Sequence, residues 1–176
     1  MDETFARQTE IGRGYGTLHI HPPLLAGALL ITGLLLHLAL GHHGAFPFLQ
    51  LVGLLLVAAG TGLSCYAAAL FAALATTKNP YGEPAALVTA LPYTFTRNPM
   101  YVGLTTVLFG FAVFFGSPVM VLVPIIFAVV IDQIVIPQEE RTMARVHGEQ
   151  YEVYKNRVPR WLPLRRFIRS GSDGIG

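Results

Sequence analysis

The sequence predicts an all-α integral membrane protein, four transmembrane helices followed by a C-terminal amphipathic cytoplasmic helix, in a single membrane domain over residues 1–176. Three observations predict it. Hydrophobic residues make up 53% of the 176 and charged residues only 12%, against roughly 25% charged in soluble domains. The deficit is concentrated: no Asp, Glu, Lys or Arg occurs in the 64 residues from Gly14 to Thr77, nor in the 34 from Asn98 to Ile131. A chain this small cannot bury so much apolar surface in water, which excludes the soluble doubly wound nucleotide-binding folds. Third, the basic residues cluster between and after the apolar runs.

A span needs about 20 apolar residues. The first runs from Pro22 to Leu40 and opens on Pro22-Pro23, since proline is tolerated at a helix start. Gly41-His42-His43-Gly44 breaks it. Ala39-Leu40-Gly41 loosely resembles a signal-peptide cleavage site. The run is long, however, and its leader carries acids as well as bases, so it reads as a membrane helix. The second span, residues 46–75, exceeds what a bilayer needs, so its last turns protrude or tilt. Lys78-Asn79-Pro80-Tyr81-Gly82 ends it with breaker residues. The third covers residues 100–115, Gly116-Ser117-Pro118 makes a tight turn, and the fourth covers 118–136. Spans three and four thus form a helical hairpin.

Charge sets the sidedness. Arg7 and Arg13 precede span one, and Lys78 and Arg97 lie between spans two and three. The remaining eight basic residues follow span four, and the loops around Gly41 and Ser117 hold none of the twelve. The positive-inside rule then places both termini and the Lys78–Arg97 loop in the cytoplasm. Cys65, alone in an apolar run, reads as a small buried hydrophobe.

Polar residues concentrate in segments 78–103 and 132–161, which flank the cytoplasmic ends of the hairpin. Arg97-Asn98-Pro99 stops the chain and starts span three. As a plain cap, Asn98 would be the N-cap and Arg97 would face lipid phosphates; the bracketing Tyr93 and Tyr101 are left unexplained. Asp132 lies at membrane depth, where an acid is by default a functional candidate. Glu139 and Glu140 either favour the dipole of the following helix or, for Glu139 at the membrane edge, bind an ammonium group. Met143, Val146, Tyr151 and Tyr154 among charges fit an amphipathic helix, and Trp161 fits an interfacial anchor.

The run Arg97-Asn98-Pro99-Met100-Tyr101-Val102-Gly103, the apolar hairpin, Glu139-Glu140, His147-Gly148-Glu149-Gln150-Tyr151-Glu152-Val153-Tyr154 and Val158-Pro159-Arg160-Trp161-Leu162-Pro163 together resemble the isoprenylcysteine carboxyl methyltransferase and phospholipid methyltransferase superfamily. The resemblance covers about residues 76–163. It implies a membrane enzyme using S-adenosylmethionine, held on the cytoplasmic side without a Rossmann sheet. It also implies cofactor contacts from Lys78, Ala85, Ala86, Leu87, Val88, Tyr93, Asn98, Pro99, Met100, Tyr101 and Glu139. Physically, Glu139 suits the methionine ammonium, Arg97 or Lys78 its carboxylate, and tyrosine faces the sulfonium. Arg97, Asp132 and Glu140 are the expected catalytic residues, the two acids to take a proton or hold a cationic head.

Three positions depart from the family pattern. Asn98 stands for the commoner His, and His147 for Phe. Val135 stands where prenylcysteine enzymes carry an arginine four residues before the acid matching Glu139. With Asp132 one turn earlier, Val135 favours a neutral or amine-bearing lipophilic acceptor, or a membrane lipid, over an anionic one. No metal is expected: His19, His21, His42 and His43 read as solvated loop residues and His37 as satisfied within the bundle. Gly12-Arg13-Gly14-Tyr15-Gly16 lacks the context of a phosphate loop. No nucleic acid is expected as a partner. The alternatives are a membrane reductase of the sterol reductase type with a nicotinamide cofactor, and a non-catalytic membrane subunit.

Overall fold

The computed structural model describes residues 20–41, 45–75 and 87–162. They form helices and connecting turns, with no strand among the described residues: α1 (Pro22–Ala39), α2 (Pro47–Ala75), α3 (Pro99–Phe115), α4 (Pro118–Val130), a π-helical stretch (Ile131–Val135), α5 (Ile136–His147) and α6 (Glu149–Arg157). Three helical stretches are long and apolar enough to cross a membrane: Pro22–Ala39, Pro47–Leu74 and Pro118–His147. The Pro99–Phe115 helix is also apolar but shorter. Side chains such as Leu24, Leu38, Phe48 and Leu55 stand exposed on these helices, as lipid-facing residues do.

The closest packing joins α2 to α3, and glycine makes it possible. A Cβ on Gly60 would lie 2.6 Å from the Gly103 carbonyl oxygen, and one on Gly53 would lie 2.6 Å from that of Gly110. The two pairs are seven residues apart on each helix, so they recur on one face after two turns. Backbones meet directly there, the way small residues bring membrane helices together. Ser64 Oγ extends the contact by donating to the Met100 carbonyl at 2.9 Å.

Helix α3 ends on Gly116 in the left-handed conformation (φ 60°). Ser117 is buried and accepts the Met120 amide at 3.4 Å, capping α4. Helix α4 packs on α3 and α1. A core of Phe127, Ile131, Ile136, Leu108 and Tyr101 forms along this line, with Trp161 against it.

The sequence reads span four as ending near Ile136 and a single polar helix continuing to about Asn156. The chain instead stays helical through to His147, loosening to a π turn over Ile131–Val135. Pro137 supplies the reason: it has no N–H for the carbonyl one turn back, and its ring crowds that turn. Gly148, at φ 53°, then breaks the polar helix into α5 and α6.

Candidate functional site

A cavity of about 380 Å³ lies where the start of α3, the 87–98 segment, α5 and α6 meet, with Phe71 of α2 on its wall. Each wall follows from local structure. Tyr93 is fixed by donating its hydroxyl to the Ala67 carbonyl of α2 (3.2 Å), and its own carbonyl accepts the Tyr154 hydroxyl of α6 (2.8 Å). Burial, and after it the charge of Glu139, pushes the Tyr93 phenol up to about 12. Burial likewise pushes Tyr154 up. Both phenols stay protonated near neutrality.

Asn98 occupies the N-cap of α3, but its side chain does not cap. The Thr96 hydroxyl accepts the Asn98 amide (3.1 Å) and donates to the Arg160 carbonyl (2.7 Å), while Asn98 Nδ2 donates to that same carbonyl (3.1 Å). Arg97 N–H donates to the Pro159 carbonyl at 2.9 Å. The segment after α6 is thereby strapped to the start of α3.

The adjacent acids of α5 have different surroundings. Glu140 is bracketed by cations: Arg160 donates from Nε and NH2 at 2.9 and 2.8 Å, and Arg97 NH1 lies 2.9 Å away. The bond to Glu140 outweighs burial and holds the Arg160 guanidinium above its ordinary value. Glu139 has no cation beside it among the described residues. It accepts the Tyr101 hydroxyl at 2.6 Å and opens toward the cavity.

Leu87, Val88, Tyr93, Asn98, Pro99, Met100, Tyr101 and Glu139, all expected from the sequence as cofactor contacts, line the cavity, as do Arg97 and Glu140. Lys78, Ala85 and Ala86 lie outside the described residues. Asp132 is not on the cavity wall. It accepts Trp161 Nε1 at 2.9 Å and Gln133 Nε2 at 2.8 Å, and lies 3.6 Å from Arg160 NH1. Val135 does not face the cavity either: it is buried in the core with Ile131 and Ile136. The inference drawn from its replacing an arginine therefore loses its footing.

The sequence reading missed Phe71, Gln138, Thr142, Met143, His147, Tyr151 and Tyr154 as wall residues. Glu139, Met143 and His147 recur every four residues, one helical face. That period was legible, but it reads equally as a packing face.

The wall fits a zwitterionic sulfonium ligand. Arg97 is 10% exposed, and its Nε has no hydrogen-bond partner among the described residues. A buried guanidinium N–H without an acceptor is costly and calls for one. Glu139 supplies the opposite charge, and tyrosine rings offer π faces to a cation.

The phospholipid methyltransferase family matches residues 48–150, more than half of the chain. The chain belongs to that family. Over 75 residues, 41% of the chain, it is 35% identical to a protein of Crocosphaera subtropica named methanethiol S-methyltransferase, and this match spans 27% of that protein's length. Over 63 residues, 36% of the chain, it is 36% identical to an uncharacterized protein of Haemophilus influenzae, whose full length is covered. No solved structure matches the chain. Family membership and the long apolar helices together make this an integral membrane protein.

Proposed function

We propose that the protein is an S-adenosylmethionine-dependent methyltransferase acting on a lipophilic acceptor at the cytoplasmic membrane face. The observation that carries this reading is the pairing, in one cavity at the end of the apolar helices, of a carboxylate with no cation beside it and a buried guanidinium whose Nε lacks a partner among the described residues. S-adenosylmethionine, when bound, supplies an electrophilic methyl group on a sulfonium. Glu139 holds its ammonium, Arg97 meets its carboxylate, Leu87 and Val88 cover its adenine, and Tyr93 and Tyr101 face its cation. Methyl transfer then asks for alignment and exclusion of water more than for acid–base work.

Glu140 and Asp132 enter this reading as positioning residues. Glu140 is spent on Arg97 and Arg160, and Asp132 on Trp161 and Arg160. Four spans are proposed, α3 and α4 forming a hairpin across the bilayer, with both termini cytoplasmic and α5–α6 at that surface. The acceptor arrives from the lipid phase as a membrane lipid or a small lipophilic amine, thiol or phenol. The name of the Crocosphaera relative supports counting thiols among these.

Calorimetry on the full chain in detergent tests the reading. S-adenosylmethionine is expected to bind and a reduced nicotinamide dinucleotide not to. Binding of the nicotinamide alone would overturn the methyltransferase in favour of the reductase, and binding of neither would favour a non-catalytic subunit.

A further inference from the structure

On the cavity wall, His147 is the one Brønsted group that no hydrogen bond or ion pair among the described residues engages. Glu140 is held by two arginines, and Glu139 accepts the Tyr101 hydroxyl. The Tyr93 and Tyr154 hydroxyls donate to backbone carbonyls, and the Tyr151 hydroxyl accepts Arg97 NH1 at 3.4 Å. Asp132 lies off the wall. His147 differs. It lines the cavity half-buried, and among the described residues no hydrogen bond or ion pair engages its imidazole. It closes α5, after which Gly148 turns the chain away.

We propose that His147 is the proton acceptor for a lipophilic thiol substrate of this site. The proposal rests on the methyltransferase reading and extends it to the acceptor. A thiol is a weak nucleophile until it becomes a thiolate. An imidazole takes a thiol proton near neutral pH but not an alcohol's, and a neutral amine has its lone pair already. A free imidazole therefore suits an acceptor of thiol- or phenol-like acidity, and of these the sulfur is the stronger nucleophile toward a sulfonium methyl.

The placement agrees. His147 lies eight residues after Glu139 on the same face, about 12 Å along the helix axis. Both line the one cavity, so a donor held at Glu139 and an acceptor deprotonated at His147 share it. In the step, the acceptor sulfur's electron pair forms the new S–CH3 bond. The methyl–sulfonium bond breaks, and its electrons return to the donor sulfur, leaving a neutral thioether. The thiol proton passes to the His147 imidazole and from there to water once the methyl thioether leaves.

The test uses the full chain in lipid nanodiscs. S-adenosylmethionine is expected to bind wild type and His147→Gln with the same affinity. If it does not bind wild type, the methyltransferase reading fails and this proposal with it. Methyl transfer to a long-chain alkanethiol is expected to fall roughly 10²–10⁴-fold in His147→Gln, the range for loss of a general base. Transfer to pentafluorothiophenol, already a thiolate at the assay pH, should fall far less. A readout without turnover completes it. Benzyl mercaptan, a thiol that stays protonated in bulk water at neutral pH, added with S-adenosylhomocysteine should develop thiolate ultraviolet absorbance on wild type and not on His147→Gln. Equal losses with both thiols, no loss, or no transfer to any thiol by protein that binds S-adenosylmethionine would overturn the His147 assignment and leave the methyltransferase reading standing.

Discussion

Glu139 and Glu140 are neighbours in sequence and opposites in circumstance. Glu140 accepts a two-pronged guanidinium bond from Arg160 and is met by Arg97 on its other side, with its own side chain 12% exposed. Neutralising it leaves two arginines sharing one weak partner. Glu140→Gln should therefore lower stability by about 1.5–3 kcal/mol, the range for a hydrogen bond to a charged group, read as a drop in thermal midpoint in detergent. Glu139 lacks such a cation, so Glu139→Gln should leave the midpoint close to wild type. Its effect belongs to the ligand: a lost charge-assisted pair of about 1.5–3 kcal/mol, or roughly tenfold or more in S-adenosylmethionine affinity by calorimetry. Unchanged affinity in Glu139→Gln would return Glu139 to a helix-dipole role. That Glu140, and not Glu139, is held by cations was not legible in the sequence, because the strap that brings Arg160 to Glu140 joins residues twenty positions apart. The Arg97-to-Tyr101 run was legible, since proline after Asn98 fixes where the helix begins.

The helices themselves were readable from their apolar runs and breakers, with ends matching to within a residue for most. Two features of their interiors were not. The π turn follows from Pro137, yet the sequence alone left the register at Val135 ambiguous, and Val135 turns into the core. The glycines of α2 and α3 repeat at seven, but that spacing carries meaning only once the partner helix is known. The α2–α3 contact makes a sharp prediction. Gly60→Leu would push side-chain atoms into the Gly103 carbonyl and the Val107 backbone, where even a Cβ has no room. It should destabilise by about 1–3 kcal/mol or more, as overpacking does. Gly62, two residues on, meets nothing within 4 Å, so Gly62→Ala should be neutral or slightly stabilising through helix propensity. Thermal unfolding of the two variants side by side decides it, and equal midpoints would mean that the two helices do not pack through these glycines.

At the scale of the whole molecule, sidedness is the property on which the proposed chemistry depends. The cavity sits at the end of α3 that carries Arg97 and beside α5 and α6, where the bases Arg141, Arg145, Lys155, Arg157 and Arg160 concentrate. The opposite turns, around Gly41 and Ser117, carry no basic residue. Moving five or more cations through a bilayer core costs several kcal/mol each even on permissive scales, so the basic end stays where the chain is made. In the proposed topology that end is the cytoplasmic one, where S-adenosylmethionine is available. The prediction is read by cysteine accessibility in intact cells, in a Cys65→Ser background because Cys65 is itself exposed on α2. Leu40→Cys uses an exposed position at the turn after α1, and a membrane-impermeant maleimide should label it from outside. Glu149→Cys, exposed at the start of α6, should label only after the cells are opened. Ser117 is unsuitable as the outer probe, since its buried hydroxyl caps α4. Labelling of both cysteines in intact cells would require an even number of crossings between them in place of three. The Pro99–Phe115 helix, at 17 residues shorter than each of the three long apolar stretches, would then be the one that fails to span, and the cavity would open away from the cytoplasm.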